Sequence, residues 1–357
     1  MIRISIFLLS FLLLACQSRQ TNNANPVNSG SENEKSYKEI VCFVYHRFGD
    51  DRFPSTNITI EDFTTHLVWL TNNKYQVLNL SDAIEYLSND TPVKNTAVIT
   101  IDDGYKSFFN NGLPLLNKYQ FPATLFINTE TVGGGDYMDW PELKEAVNNK
   151  IEIGNHTHSH AYFLNKEPSQ RYADFESDLS MAQQLIKKNL GVTPKVFAYP
   201  YGEFDQKMKT ILKSNGFSGA AAQNSGVMNN GMDNLQIPRF PMSQDYAAMF
   251  DGKASMQALK VINKVPEENL IPSGINKPQL TITINTEGLI TDQLQCFVQG
   301  GACQLKIIDQ TTGQMTLTLQ STHSLATRRR TLYTLTAPDS AGNWHWFSHL
   351  WVNNSVK

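Results

Sequence analysis

Between residues 39 and 201, short runs of β-branched and aromatic residues alternate with helical stripes, and polar clusters close several of the runs. "IVCFVYH", "YQVLNL", "AVITIDD", "PATLFIN", "KIEIGNH" and "KVFAYPYG" read as strands. Between the first two, "TIEDFTTHLVWLTNN" offers Thr59 as an N-cap with Asp62 three residues on, followed by a stripe of Phe63, Leu67 and Leu70. Ser81 reads as the cap of the next helix, "GLPLLNKY" carries another, and the long helix of "YADFESDLSMAQQLIKKNLG" stops at Gly191. Strands separated by helices pair through crossovers, so the pattern demands an α/β domain with a parallel sheet. In barrels built this way the βα loops converge at the strand C-termini, and that is where the polar clusters fall.

Residues 266–278, "PEENLIPSGINKP", carry three prolines and end the alternation. Beyond them, "QLTITINTEGL", "CQLKIIDQTTGQMTLTLQS" and "RRTLYTLTAPDSAGNWHWFSHLWV" alternate with period two between turn signals. The expected layout is a barrel over 39–265, a linker over 266–278 and a small all-β sandwich over 279–357. A chain of 357 residues, 41% of them hydrophobic, is long enough for both. Its net charge of -3 points away from nucleic acid and acidic polymers and toward a neutral substrate.

The front of the chain is different. "MIRISIFLLSFLLLAC", residues 1–16, has one arginine, an apolar run too short for a comfortable membrane span, and a cysteine where that run ends. It reads as a signal peptide, and "LLAC" resembles the bacterial lipobox, which makes Cys16 the expected lipidation site; an ordinary signal with an incidental cysteine is the other reading. Residues 17–38 are polar, rich in Asn and Ser, and read as a flexible linker. Export puts Cys296 and Cys303, in "CFVQGGAC", in an oxidising compartment where a disulfide across the Gly-Gly turn is expected. Cys42, inside an apolar run, reads as a buried structural thiol.

The chemistry concentrates in three places. "VITIDDGY" ends a strand on two carboxylates, Asp102 and Asp103, which repel unless they share a proton or a cation. "GNHTHSH" supplies three histidines in five positions; if the segment makes a helical turn, His156 and His160 share a face and leave His158 on the other. With Asp103 they complete an Asp-His-His site for one divalent ion, against the alternative of a merely polar loop. "YPYG" ends another strand, with Pro200 shaping a turn, Gly202 admitting substrate, the Tyr201 N–H available to an oxyanion, and Pro200 and Tyr201 both expected to touch substrate, or else is a plain Pro-Gly turn.

"TIDDG", "HTHSH" and "YPYG", in that order, resemble the first three motifs of the polysaccharide deacetylases, the NodB-homology or carbohydrate esterase 4 family. The resemblance implies a distorted (β/α) barrel of the NodB-homology type over residues 39–265 and a metal-dependent N-deacetylase. It assigns Asp102 as base and Asp103, His156 and His160 as ligands of one divalent ion: zinc first, with cobalt, nickel or iron also suited to two histidines and a carboxylate.

Two departures from the family pattern follow. An arginine usually stands three residues before the motif tyrosine and contacts the catalytic aspartate; here that position is Ala198, and Arg239 in "IPRFP" is either its replacement or a surface residue. The late leucine-x-histidine motif that supplies the general acid is missing. His46, in "FVYHRF", resembles the permuted arrangement of poly-β-1,6-N-acetylglucosamine deacetylases, in which the acid comes from the first strand; a hydrogen-bonded core histidine is the alternative. "DYMDW" has the letters of a fourth motif out of order: Trp140 is a candidate pocket wall, Asp139 a natural N-cap, and Asp136 surface.

In "NWHWFSHLW", strand geometry puts His345, Phe347, His349 and Trp351 on one face and Trp344, Trp346 and Leu350 on the other. Core packing is the favoured reading over a sugar platform or a second metal site of His345 and His349. "RRR" at 328–330 reads as a solvated strand edge. The expected partners are an N-acetylated hexosamine polymer of the exopolysaccharide, peptidoglycan or chitooligosaccharide kind, a membrane reached through the lipid anchor, and an envelope protein at the C-terminal β-domain. Nucleic acid is not expected. A barrel that only binds glycan or serves assembly is the rival function. The expected location is the cell envelope, at the outer membrane, since Gln17 is not the aspartate associated with inner-membrane retention.

Overall fold

The computed structural model describes residues 37–356, so the leader, Cys16 and the linker through residue 36 lie outside the described residues. Nine strands form the main sheet: β1 (Glu39–Tyr45), β2 (Gln76–Leu78), β3 (Thr96–Ile101), β4 (Ala123–Ile127), β5 (Ile151–Asn155), β6 (Val196–Ala198), β7 (Gly219–Ala221), β8 (Val227–Asn229) and β9 (Phe240–Pro241). Their order is β8-β1-β3-β4-β5-β6-β7, with β2 on β3 and β9 on β1, and every pair is parallel except β1 with β8.

The helices between them are α1 (Ile60–Asn72), α2 (Leu80–Ser88), α3 (Leu113–Tyr119), α4 (Trp140–Asn148), α5 (Arg171–Leu190), α6 (Gln206–Ser214) and α7 (Phe250–Ala254). Thr59 caps α1 through the Asp62 N–H, and Gly191 ends α5 in the left-handed conformation at φ 76°. The cap of α2 is Asn79 rather than Ser81, whose hydroxyl bonds Glu152 instead. Asp139 caps α4 in a full capping box with Glu142.

Alternation along the strands divides the core. Val41, Phe43, Ala97, Ile99 and Ile101 pack in one cluster with α1, α3 and α4. Ile40, Cys42, Val98, Phe126, Ala198 and Ala221 pack in another, together with α2. Residues of β1, β3, β4, β6 and β7 can meet in a single cluster only where the sheet curls around it, and the result is a half-barrel of the NodB type. The even positions of β3 face that concave side, so Thr100 and Asp102 point inward at its C-terminal end.

Apart from a short parallel pairing of Arg47–Phe48 with Asn57–Ile58, the remaining strands form two four-stranded sheets. One has the order β10-β17-β16-β13, from Gln257–Ala258, Trp344–Val352, Arg330–Pro338 and Gln295–Val298. The other is β11-β12-β15-β14, from Val261–Val265, Gln279–Asn285, Gln314–Ser321 and Cys303–Thr311. Leu280, Ile282, Ile284, Leu317, Leu319, Leu335 and Trp351 fill the space between them. Cys296 and Cys303 are disulfide-bonded, with Cα atoms 5.7 Å apart.

The change from barrel to β region falls earlier than the prolines of 266–278. β10 pairs with β17 and β11 with β12, so residues 257–265 belong to the β region. The prolines form the connection between two antiparallel neighbours, which is why they mimicked a boundary.

"NWHWFSHLW" packs on both faces. Phe347 and Trp351 enter the sandwich core, whereas Trp346 lies against Phe240 of the barrel and Leu350 joins Phe163, Phe175 and Tyr199. His345 bonds Asp339 and the Ala258 carbonyl, while His349 is buried against Trp351. Among the described residues, the only cluster suited to a metal is elsewhere.

Candidate active site

β3 ends at Ile101, and the backbone then turns through two left-handed residues, Asp103 at φ 73° and Gly104 at φ 74°. A short polar side chain tolerates this conformation and glycine adopts it freely. The reversal explains the adjacent carboxylates: Asp102 stays on the concave face, and Asp103 is swung toward the histidines of the loop after β5.

Asp102 is fully buried, and so is Arg239. The Arg239 guanidinium donates to both carboxylate oxygens, Nη1 to Oδ1 at 2.7 Å and Nη2 to Oδ2 at 2.8 Å. Its Nε donates to the Ala222 carbonyl and its Nη1 also to the Thr100 hydroxyl. Arg239 therefore occupies the place of a residue that Ala198 cannot supply. Burial works against the Asp102 charge, but the guanidinium, helped by His156 and His46, outweighs it and keeps the carboxyl below its usual range.

The "HTHSH" loop does not make a helical turn. His156 follows β5 directly, Thr157 at φ 70° and His160 at φ 51° are left-handed, and the chain folds back so that both rings meet. The Asn155 carboxamide accepts from the Thr157 N–H, and Asp178 on α5 accepts from the N–H groups of His158 and Ser159. His158 turns away and bonds the Thr129 hydroxyl. Asn155 and Asp178 shape this loop, and nothing in the local sequence marked them.

His156 Nδ1 lies 2.7 Å from the Ala198 carbonyl, which can only accept, so that nitrogen carries a proton and Nε2 is the one left for an ion. Burial opposes the charge on this imidazole, but the bond to Asp103 and the two aspartates raise it above its usual range, so a bound ion would take the place of an Nε2 proton. His160 Nε2 is 3.2 Å from His156 Nε2, and Asp103 Oδ1 is 3.5 Å from the His156 nitrogen and 3.6 Å from the His160 nitrogen. Ligands about 2.0–2.1 Å from a tetrahedral ion stand roughly 3.3 Å apart, so the donor set fits one divalent cation. Burial, then the neighbouring His156, holds the His160 imidazole down to about 4, which keeps it neutral. Burial opposes the charge on Asp103 as well, but the bond from His156 and the fields of the surrounding histidines keep its carboxyl well below the usual range.

These groups face a cleft of about 920 Å³ that His46, at the end of β1, also lines. Tyr201 stands at its edge in a left-handed turn over Pro200–Gly202, at φ 59°, with its ring edge-on to His160 at 4.5 Å. Gly202 is required there, because a Cβ would come within 2.4 Å of Gln223. Pro200 is buried and shapes the turn without lining the cleft.

Trp140 does not form a wall. As the first residue of α4 it packs on the barrel core, and the stacked pair Tyr105 and Tyr137 lines that side instead. Asp136 is partly exposed and pairs with Arg52. The opposite side comes from the β region: Gln299, Arg328, Arg329 and Arg330 all line the cleft. The three arginines are therefore not a solvated edge, and their position depends on a contact between distant parts of the chain that no local pattern encodes.

Residues 89–220 match the family model described as polysaccharide deacetylase. The chain is 26% identical over 256 residues to the poly-β-1,6-N-acetyl-D-glucosamine N-deacetylase of Staphylococcus epidermidis, covering 62% of this chain and 88% of that protein. It is 23% identical over 255 residues to the putative polysaccharide deacetylase YxkH of Bacillus subtilis, covering 63% and 89%. Among solved structures, IcaB from Ammonifex degensii is similar with a TM-score of 0.53 and 26% identity, over 60% of this chain and 97% of that one.

Proposed function

We propose, from this site and from the polysaccharide deacetylase match over residues 89–220, a metal-dependent N-deacetylase acting on an N-acetylhexosamine polymer of the poly-N-acetylglucosamine kind. The observation that carries this reading is the convergence of Asp103, His156 and His160 beside an Asp102 that Arg239 keeps ionised and oriented.

Amide hydrolysis needs a water stripped of a proton, a donor for the oxyanion and an acid for the departing amine. Asp103, His156 and His160 would hold a divalent ion, which would supply Lewis acidity toward water and toward the acetyl carbonyl. Asp102 accepts the proton of the attacking water on a lone pair its bonds to Arg239 leave free. The Tyr201 N–H donates to the oxyanion. His46, which lines the same cleft at the end of β1, delivers a proton to the amine nitrogen as the C–N bond breaks, and acetate and a free amine result.

An exported lipoprotein of the cell envelope, anchored through Cys16, is the setting we infer from residues 1–16. Acetate release from poly-N-acetylglucosamine, peptidoglycan and chitooligosaccharides, with and without chelator, tests the reading. Chelator-sensitive release that is highest on the first polymer is expected; no release from any polymer by metal-loaded protein would leave a glycan-binding module.

A further inference from the structure

The turn that carries Tyr201 is held from the far end of the chain. We propose that Arg330 is a positioning residue for the reaction. With Arg329 beside it, it fixes the Pro200–Gly202 turn so that the Tyr201 N–H faces the cleft, which makes the β region part of the catalytic apparatus. The inference deepens the deacetylase reading and rests on it for its consequence in turnover.

Arg330 Nη1 donates to the Tyr201 carbonyl at 2.8 Å. Arg329 binds Glu203, two residues further along, through both carboxylate oxygens, Nε to Oε1 at 2.7 Å and Nη2 to Oε2 at 2.5 Å. Its Nη1 reaches the Asn165 carboxamide and the Val356 carbonyl. The Glu203 side chain is only 3% exposed, so this pair is shielded from solvent and salt. The same Arg329 guanidinium lies 4.3 Å over the ring of Tyr162, and Tyr162 stacks on Tyr201 at 3.6 Å with the planes 4° apart.

Tyr201 is thus gripped at its carbonyl and at its ring. A non-glycine residue at φ 59° relaxes toward the right-handed or extended regions unless its surroundings prevent it. With carbonyl and ring both held, neither φ nor ψ is free, and the direction of the N–H follows. Arg330, the first residue of β16, and Arg329 just before it provide both grips, although they lie some 130 residues after the turn in sequence.

The test compares full-length wild type with Arg330→Met and Arg330→Lys by amide hydrogen exchange over residues 199–203 and by steady-state acetate release. Arg330→Met should speed exchange in that segment by roughly tenfold to a hundredfold, the range a lost charge-assisted hydrogen bond gives. It should lower kcat by a comparable factor, leaving KM within about twofold and metal content and Tm unchanged. Arg330→Lys, which still donates to a carbonyl, should restore most of both. Unchanged exchange overturns the proposal, and so does a raised KM with kcat intact, which would make Arg330 a polymer contact only. Should Arg330→Met fail to fold, Tyr162→Leu removes the stack, and Arg329's contact with it, while leaving Arg330 in place; it must also speed exchange over 199–203, and unchanged exchange there overturns the proposal. If wild type releases no acetate, the deacetylase reading fails while the exchange comparison still decides what holds the turn.

Discussion

Asp102 and Arg239 form a pair whose two halves are useful only together. A buried carboxylate alone would take up a proton, and a buried guanidinium alone would cost several kcal/mol. Together they keep a buried anion oriented beside His156. Asp102→Asn should keep its metal, because the residue is not among the three converging donors, while turnover falls about a hundred- to ten-thousand-fold; metal analysis beside acetate release checks this. Loss of metal in step with activity would mean that both aspartates are ligands. His46→Ala should lower kcat within the same range with metal content and Tm retained, and a fall in Tm with kcat within a few fold would make His46 structural. Cys42 offers a different check. It is fully buried on β1, and burial pushes its thiol up to about 12, so it should resist alkylation in the native protein and react once unfolded, as followed by mass spectrometry.

At the scale of elements, the strand ends decide the chemistry by how they leave the sheet. β3 and β5 each run into left-handed residues, Asp103 and Gly104 in one case, Thr157 and His160 in the other. The rings of His156 and His160 meet because the loop folds back, with Asn155 and Asp178 taking up its N–H groups. His156→Ala or His160→Ala should therefore empty the site: affinity should fall by more than the roughly 10- to 100-fold that losing an outer hydrogen-bond partner costs. His158→Ala should leave the site filled, since that ring bonds Thr129. Metal content after dialysis measures all three, and loss on changing His158 would show the wrong pair was chosen.

For the whole molecule, the barrel and the β region share their contacts rather than merely abut. β17 pairs with β10 immediately after the barrel's last helix, Trp346 donates to Ser225, and Leu350 and Val352 complete a core cluster with Phe163 and Phe197. The buried Arg329–Glu203 pair adds a tie whose breakage would strand a buried charge. Both parts should accordingly unfold in one calorimetric transition with equal van't Hoff and calorimetric enthalpies. Two separated transitions would show that the β region is independent of the barrel.

The alternation of period-two and helical runs was enough to read the parallel α/β barrel, because side-chain periodicity is a local property of strands and helices. The candidate metal donors and the paired aspartates stood out as clusters for the same reason: they close strands, and strand ends meet on one face. Arg239 could be suspected only because Ala198 left a gap, and its bidentate grip on Asp102 required β9 to come alongside β1. Trp140, Pro200 and the arginines at 328–330 were misjudged, since lining a cleft is a relation between surfaces brought together from distant sequence. The early start of the β region at residue 257 escaped notice as well, because two short strands before a proline run carry too little periodic signal until their partners are known. Sequence by itself determined which chemistry is available and at which strand ends it sits. Tertiary structure alone decided which groups face one another, because that depends on the curl of the sheet and on a C-terminal strand that returns to the barrel's rim.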